Sequence, residues 1–288
     1  MTVQLLHVAD LHFGGVADLR KVEALEGMLP DLRPDAVVIA GDVSQRARHG
    51  EFQRARAFVQ LARQTAPVLI MPGNHDVQWW WRPLIPFAKD VLYRKYRRYF
   101  GESTTPTLTI PGGAVITSAL TSHGVAWGSL TSNLRDIAVK GHLPADEVAR
   151  VRTIFKAAAP ELARVLVVHH NVLRGDLSQR MGLSRWRQAQ RRIVECGADV
   201  VLCGHDHQEG AAVLHGKVVV STCSSLSMRV RGERPASFNL VTIEPAAVQV
   251  TFFRWDAGRR RFNASDTFAF ARGAYTVRRE GLVASRAG

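Results

Sequence analysis

Five short clusters along the chain carry residue types that hold metal ions or move protons: Asp10-x-His12, Gly41-Asp42, Gly73-Asn74-His75-Asp76, His169-His170 and Gly204-His205-Asp206-His207. Each one alone is as well explained by a buried, hydrogen-bonded structural group. Their combined chemistry is more selective. Imidazole, carboxylate and amide oxygen suit borderline divalent ions such as Mn, Fe, Zn, Co or Ni better than the oxygen-only shell preferred by Ca and Mg. Seven or eight such donors are too many for one ion. A carboxylate with two oxygens can bridge two, and a pair of cations would clamp the attacking and leaving oxygens of a phosphoryl displacement.

The elements around these clusters share one grammar. Val3 to Val8 reads as a buried strand that opens into Asp10 and His12; the apolar run after Asp35 ends at Asp42; VLIMPGNHD ends at Asn74 and His75. Val165 to Val168 runs into His169-His170, and Asp199 to Cys203 runs into GHDH. Between them, helical spacing is seen through Val22, Leu25 and Leu29 up to Pro30, from Glu51 to Gln64, and from Trp186 to Cys196. Strands that end in metal-competent residues describe one composite site, because α/β sheets hold ligands at strand carboxyl ends. Downstream, Lys217 to Ser221, Phe238 to Ile243 and Val248 to Arg254 read as further strands. No repeat or long linker interrupts residues 1–288, so a single domain is expected.

In order and spacing, D-x-H, G-D, G-N-H-D, H and G-H-D-H resemble the calcineurin-like metallophosphoesterase superfamily, and all five blocks are present between Asp10 and His207. The resemblance implies a four-layer αββα sandwich of two mixed sheets with a dinuclear metal site at the strand carboxyl ends. Carried over by motif position, Asp10, His12 and His207 would hold one metal, Asn74, His169 and His205 the other, and Asp42 both. His170 would then be an outer neighbour. The two ions would be divalent transition metals, Mn, Fe or Zn, lowering the pKa of a water that attacks phosphorus in line. Asn74 and His75 would also face the substrate phosphate, with His75 as donor or proton source for the leaving group.

One departure concerns the second block. Phosphatases of the superfamily often have G-D-x-x-D-R-G, whose later Asp orients the histidine of G-N-H; here Gln45 stands in that position, followed by Arg46. A neutral amide does not favour an imidazolium as a carboxylate would, so His75 is expected to be a weaker acid unless Asp76 or another group substitutes. Arg46 and Arg229 are candidate phosphate contacts. Residues 79–100, with Trp79-Trp80-Trp81 and then Tyr93, Tyr96, Tyr99 and Phe100 among Arg and Lys, read either as a lid, a stacking surface or membrane-surface helix, or as a helix packing its aromatics inward.

Bulk properties bound the rest. The net charge is +13, from 38 Lys+Arg against 25 Asp+Glu, and 32 of the 38 are Arg. Such a balance admits an anionic partner, nucleic acid included, although an arginine-rich genome produces the same number. No apolar run is long enough to span a bilayer, which leaves peripheral membrane contact open. Three cysteines without C-x-x-C spacing fit a reducing compartment, and the chain start lacks secretory features, so a cytoplasmic protein is expected. The expected function is hydrolysis of a small phosphate ester, most like the bacterial cyclic-nucleotide phosphodiesterase branch. The alternatives are a metal-dependent nuclease on single-stranded or damaged DNA, a pyrophosphatase of a nucleotide-linked lipid precursor, and a noncatalytic scaffold. Oligomeric state is not legible in the sequence.

Overall fold

Continuous apolar runs such as AVVIA at 36–40 can be buried on both faces only inside a stack of layers, and the computed structural model builds that stack. It describes residues 1–78, 89–123, 139–272 and 277–278. The amino-terminal half supplies β1 (Val3–Val8), α1 (Leu19–Leu32), β2 (Ala36–Ala40), α2 (His49–Thr65), β3 (Val68–Met71), α3 (Lys89–Leu92) and α4 (Arg94–Phe100). There follow β4 (Thr107–Ile110), β5 (Ala114–Ser118), α5 (Ala145–Ala157), β6 (Ala163–Val167), α6 (Trp186–Glu195) and β7 (Val200–Cys203). The remainder is strand: β8 (Gly210–Leu214), β9 (Val218–Thr222), β10 (Ser237–Ile243), β11 (Ala247–Asp256), β12 (Arg261–Ala271) and β13 (Val277–Arg278).

The strands form two mixed sheets, one ordered β13-β12-β11-β10-β1-β2-β3 and the other β4-β5-β6-β7-β9-β8. β1, β2 and β3 run parallel in the first, and β5, β6, β7 and β9 run parallel in the second. The inner faces share a core in which Leu5, Val38 and Val241 pack with Ile116, Val165 and Leu202. Helices α1, α2 and α4 cover the outer face of the first sheet through Leu25, Phe52, Phe58 and Tyr96; α5 and α6 cover the second through Val151, Phe155 and Ile193. This is the αββα sandwich the motifs imply.

One sequence reading changes, and a second is narrowed. Helix α1 continues through Pro30 to Leu32, where Arg33 adopts φ 44° and its N–H bonds Leu29 O. A proline this close to the helix end costs little of the ladder, and buried Val22, Leu25 and Leu29 hold the last turn in place. Within 79–100, Trp79–Trp81 lie outside the described residues. Among those described, Tyr93 and Tyr96 are buried, and Phe52 contacts Tyr96, Tyr99 and Phe100 edge-on or tilted. The described aromatics of 92–100 therefore serve the outer core, in line with the inward-packing alternative. Strands β4 and β5 and helix α5 were not legible in the sequence pattern. No helix among the described residues is long and apolar enough to cross a membrane.

Candidate dinuclear metal centre

All the polar clusters except the tail arginine emerge where the parallel strands end, and the backbone there is contorted. Asp10, His12, Asp42, His205 and His207 all have positive φ, between 48° and 75°, a region that L-residues enter only when the surroundings force it. Gly41 (φ 90°) shows the crowding: a Cβ there would lie 2.6 Å from the His169 ring. At Gly204 a Cβ would come within 2.5 Å of both Ala9 Cβ and Asp10 Oδ2. The glycines of the G-D and G-H blocks thus let one loop lie directly on another's side chain.

Two donor sets result. In the first, His12 Nε2 and His207 Nε2 face each other at 3.0 Å, and Asp10 Oδ1 lies 3.7 Å from the one and 3.4 Å from the other. In the second, Asn74 Oδ1 lies 3.0 Å from His169 Nε2 and 3.1 Å from His205 Nδ1. Asp42 stands between them, its Oδ2 3.3 Å from His169 Nε2 and 3.9 Å from His12 Nε2, while its Oδ1 accepts the His75 N–H at 2.8 Å. Asp10, His12, Asp42 and His169 are essentially sealed from solvent. Asp10 Oδ1 is buried with no hydrogen-bond partner, so its charge is left for a cation to balance. A buried set of imidazoles, an amide oxygen and two carboxylates fits two borderline divalent ions.

Electrostatics at His12 and His205 agree with that fit. Burial holds His12 neutral, pushing it down to about 3 despite Asp42 and Asp10, and burial beside His170 and His169 holds His205 well below the usual histidine range. Neutral imidazoles offer lone pairs. Burial works against charge at His169 too, but the adjacent Asp42 overrides it and lifts that ring to about 9. At Asp42 burial pushes upward, and His169, His75 and His12 together outweigh it and hold the carboxyl well below the ordinary range.

The adjacent histidines have different surroundings. His169 Nδ1 must carry a proton, because it bonds the Ala40 carbonyl at 2.9 Å, and this leaves Nε2 aimed at Asn74 and Asp42. His170 donates from Nε2 to Val139 O at 3.1 Å, so Nδ1 accepts from Thr121 Oγ1 at 2.8 Å. Both His170 nitrogens are engaged, and its ring walls His205 at 4.4 Å between centroids. Thr121 and Val139 could not be assigned to it from sequence.

His75 is oriented by a backbone atom. Its Nδ1 donates to the Gln45 carbonyl at 2.8 Å, and its ring stands edge-on to His12 at 4.8 Å. Asp76 plays a different part from the one considered above: its carboxylate accepts from Val43 N, Ser44 N, Ser44 Oγ and Gly73 N, stapling the loop after β2 to the loop after β3. Burial, then Asp42, raises Asp76 to about 6. Arg46 and Arg229 are exposed, and among the described residues neither guanidinium bonds a residue of the cluster. The serine run after β9 was missed: Ser225 Oγ donates to Asp10 O at 2.7 Å, fixing the bend that carries Asp10.

The model of the calcineurin-like phosphoesterase family matches residues 3–209. A cAMP/cGMP dual specificity phosphodiesterase of Mycobacterium tuberculosis is 26% identical over 274 residues, which is 85% of this chain and 77% of that protein. A glycerophosphodiester phosphodiesterase of Enterobacter lignolyticus is 37% identical over 86 residues, 25% of this chain and 29% of the other. Among solved structures, a purple acid phosphatase from yellow lupin superposes with a TM-score of 0.68 at 12% identity, over 95% of this chain and 54% of that one. A dimetal phosphatase from Danio rerio superposes with a TM-score of 0.64 at 10% identity, over 95% and 99%. The structural likenesses establish the fold; the family match, which covers most of the chain and ends just past the last of the five blocks, establishes that the chain belongs to the calcineurin-like phosphoesterase family.

Proposed function

We propose that the chain is a dinuclear-metal-dependent phosphodiesterase acting on small or cyclic nucleotides. The observation that carries this reading is the convergence of two donor sets on Asp42 at the ends of the parallel strands. Asp10, His12 and His207 would hold one cation, Asn74, His169 and His205 the second, and Asp42 would serve both. When bound, the pair supplies an activated water as nucleophile and neutralises charge on the phosphoryl oxygens. Two relatives that act on diesters, one of them spanning most of the chain, support the diester preference. The three buried free cysteines fit a reducing compartment such as the cytoplasm.

The chain's own groups do the remaining work. The Gln45 carbonyl fixes the His75 tautomer, so Nε2 is the atom that transfers a proton to the leaving oxygen. The bond from His75 N to Asp42 Oδ1 ties this acid to the bridging carboxylate. Asn74, next to His75, would also face the phosphate. Burial of the cluster excludes bulk water and strengthens each of these interactions.

The test is reconstitution with Mn, followed by metal analysis and kcat/KM on cyclic AMP, bis-p-nitrophenyl phosphate and p-nitrophenyl phosphate. Two ions per chain and a preference for the two diesters are expected. A monoester preference would move the protein to the phosphatases, and one ion or none would remove the dinuclear assignment.

A further inference from the structure

A cavity of about 480 Å³ opens beside the candidate metal centre and has His205 in its wall. Its size is that of a small-ligand site, and its lining is strongly one-signed. Lys140, Arg174, Arg180 and Arg231 stand against a single carboxylate, Asp206. That carboxylate is itself buried and engaged: Oδ2 accepts from Ser178 Oγ at 2.6 Å and from Gln208 Nε2, and Oδ1 lies 3.6 Å from Arg231 Nη2. Among the described residues, neither Arg174 nor Arg180 pairs with a carboxylate.

These cations are mounted on fixed backbone. Asn171 Nδ2 donates to the carbonyls of Leu173 and Arg180, and Gly175 N donates to Arg180 O, which closes the segment between the two arginines into a loop. That loop is tied to the G-H-D-H block by Leu177 N to Gln208 Oε1 at 2.9 Å and by the Ser178–Asp206 bond. Arg231 donates from its backbone N to His207 O at 3.2 Å and from Nε to Asp206 O at 3.0 Å. The backbone that carries Arg174, Arg180 and Arg231 is therefore tied to the turn that presents His205 and His207.

We propose that this cavity binds a second phosphate group of the substrate, so that the preferred diester is a small nucleotide bearing a further phosphate within one nucleoside of the scissile one. The proposal rests on the diesterase reading above and narrows it. A cyclic nucleotide carries one negative charge, which the metal centre takes, and it leaves Arg174 and Arg180 beside His205 without a counter-charge among the described residues. Guanidinium groups suit the fork geometry of phosphate oxygens, and Trp186 adds one aromatic wall for the attached nucleoside.

The test compares the dinucleotide ApA with its phosphorylated forms pApA and ApAp, which share the scissile bond. Wild-type kcat/KM is expected to be about 10- to 30-fold higher for at least one phosphorylated form. That ratio should collapse toward one in the Arg174→Ala/Arg180→Ala double variant and survive in Arg174→Lys/Arg180→Lys, and the ratio, not the absolute rate, is the readout. Calorimetry on the metal-free protein provides a second readout without turnover: tighter binding of the phosphorylated dinucleotide, lost in the double alanine variant. A ratio near one with ApA still hydrolysed would overturn the proposal and leave the diesterase reading standing. Absence of diester hydrolysis would remove that reading, and equal binding of ApA and its phosphorylated forms would then remove the proposal too. A salt-sensitive preference for a long DNA oligomer over pApA would assign the cavity to a nucleic-acid track and overturn the small-nucleotide reading.

Discussion

The donor cluster and the basic cavity beside it share His205, yet they are built in opposite ways. In the cluster, side chains are buried, backbone dihedrals are strained, and most polar atoms face another polar atom. In the cavity, Arg174 and Arg180 are exposed on a loop, and the order lies in the backbone beneath them. The difference separates reaction from selection. Chemistry common to all phosphate esters requires donors that cannot drift, and a backbone held at positive φ provides that. Discrimination between esters needs only charge at the rim, which can change without disturbing the cluster.

That division is broken most severely at Asp42. Asp42→Ala removes the carboxylate that stands between the two donor sets, so kcat should fall on the order of 10³-fold or more on every ester, with loss of at least one metal ion on analysis. A loss confined to one ester class would mean that the cluster also selects. His75→Ala should retain both ions and lose about 10²-fold on alkyl diesters, with a much smaller loss on nitrophenyl esters whose leaving groups need no proton. Equal losses on good and poor leaving groups would exclude the acid role. His170→Ala, which removes the wall behind His205 together with the bonds to Thr121 and Val139, should cost about tenfold and leave the metal content intact. Loss of an ion in this variant would exchange the roles of His169 and His170.

Burial that fixes the cluster also carries a pH cost that the rim does not share. His7 sits on β1 between the sheets, fully buried, its Nδ1 3.1 Å from Ser221 Oγ and its Nε2 without a partner. Burial pushes it down to about 3, below the 6.5 of an unfolded histidine. A depressed folded pKa contributes stability above 6.5 that is lost as pH falls toward 3, because the unfolded chain takes up a proton that the folded chain refuses. From pH 7.5 to pH 5 the loss from this one residue should be about 2 kcal/mol. Urea melts of wild type and His7→Gln at both pH values isolate it. An identical pH dependence in the two proteins would show that His7 is protonated or hydrated in the folded state.

The same division explains what could be read from the sequence. Strand ends that carry Asp10, Asp42, Asn74, His169 and His205 were legible because apolar runs of period one or two stop at polar residues, and the stop itself marks the site. The cavity was not legible. Arg174, Arg180 and Arg231 are three arginines among 32, and what distinguishes them is a loop closure made by Asn171 and Gly175 that no spacing announces. Short strands such as β4 and β5 escaped for a related reason: TLTI and AVITS are too brief to show a period, and their strand character comes from pairing with each other and with β6.

Gln45 offers the smallest expected effect and the sharpest division between side chain and backbone. From sequence, an amide in place of the phosphatases' carboxylate argues for a weakened acid. In the structure the atom that holds His75 Nδ1 is the Gln45 carbonyl, at 2.8 Å, while the side-chain Oε1 is buried without a partner. Any residue that keeps this turn supplies the same carbonyl. Gln45 N donates to Phe13 O at 3.0 Å, and neither end of that bond depends on the side chain. Gln45→Ala should therefore change kcat on alkyl diesters by less than about twofold, with the pH–rate profile unmoved, since the partner of His75 is retained. A loss approaching that of His75→Ala, together with a shifted acid limb, would show that the side chain and not the main chain sets the proton donor.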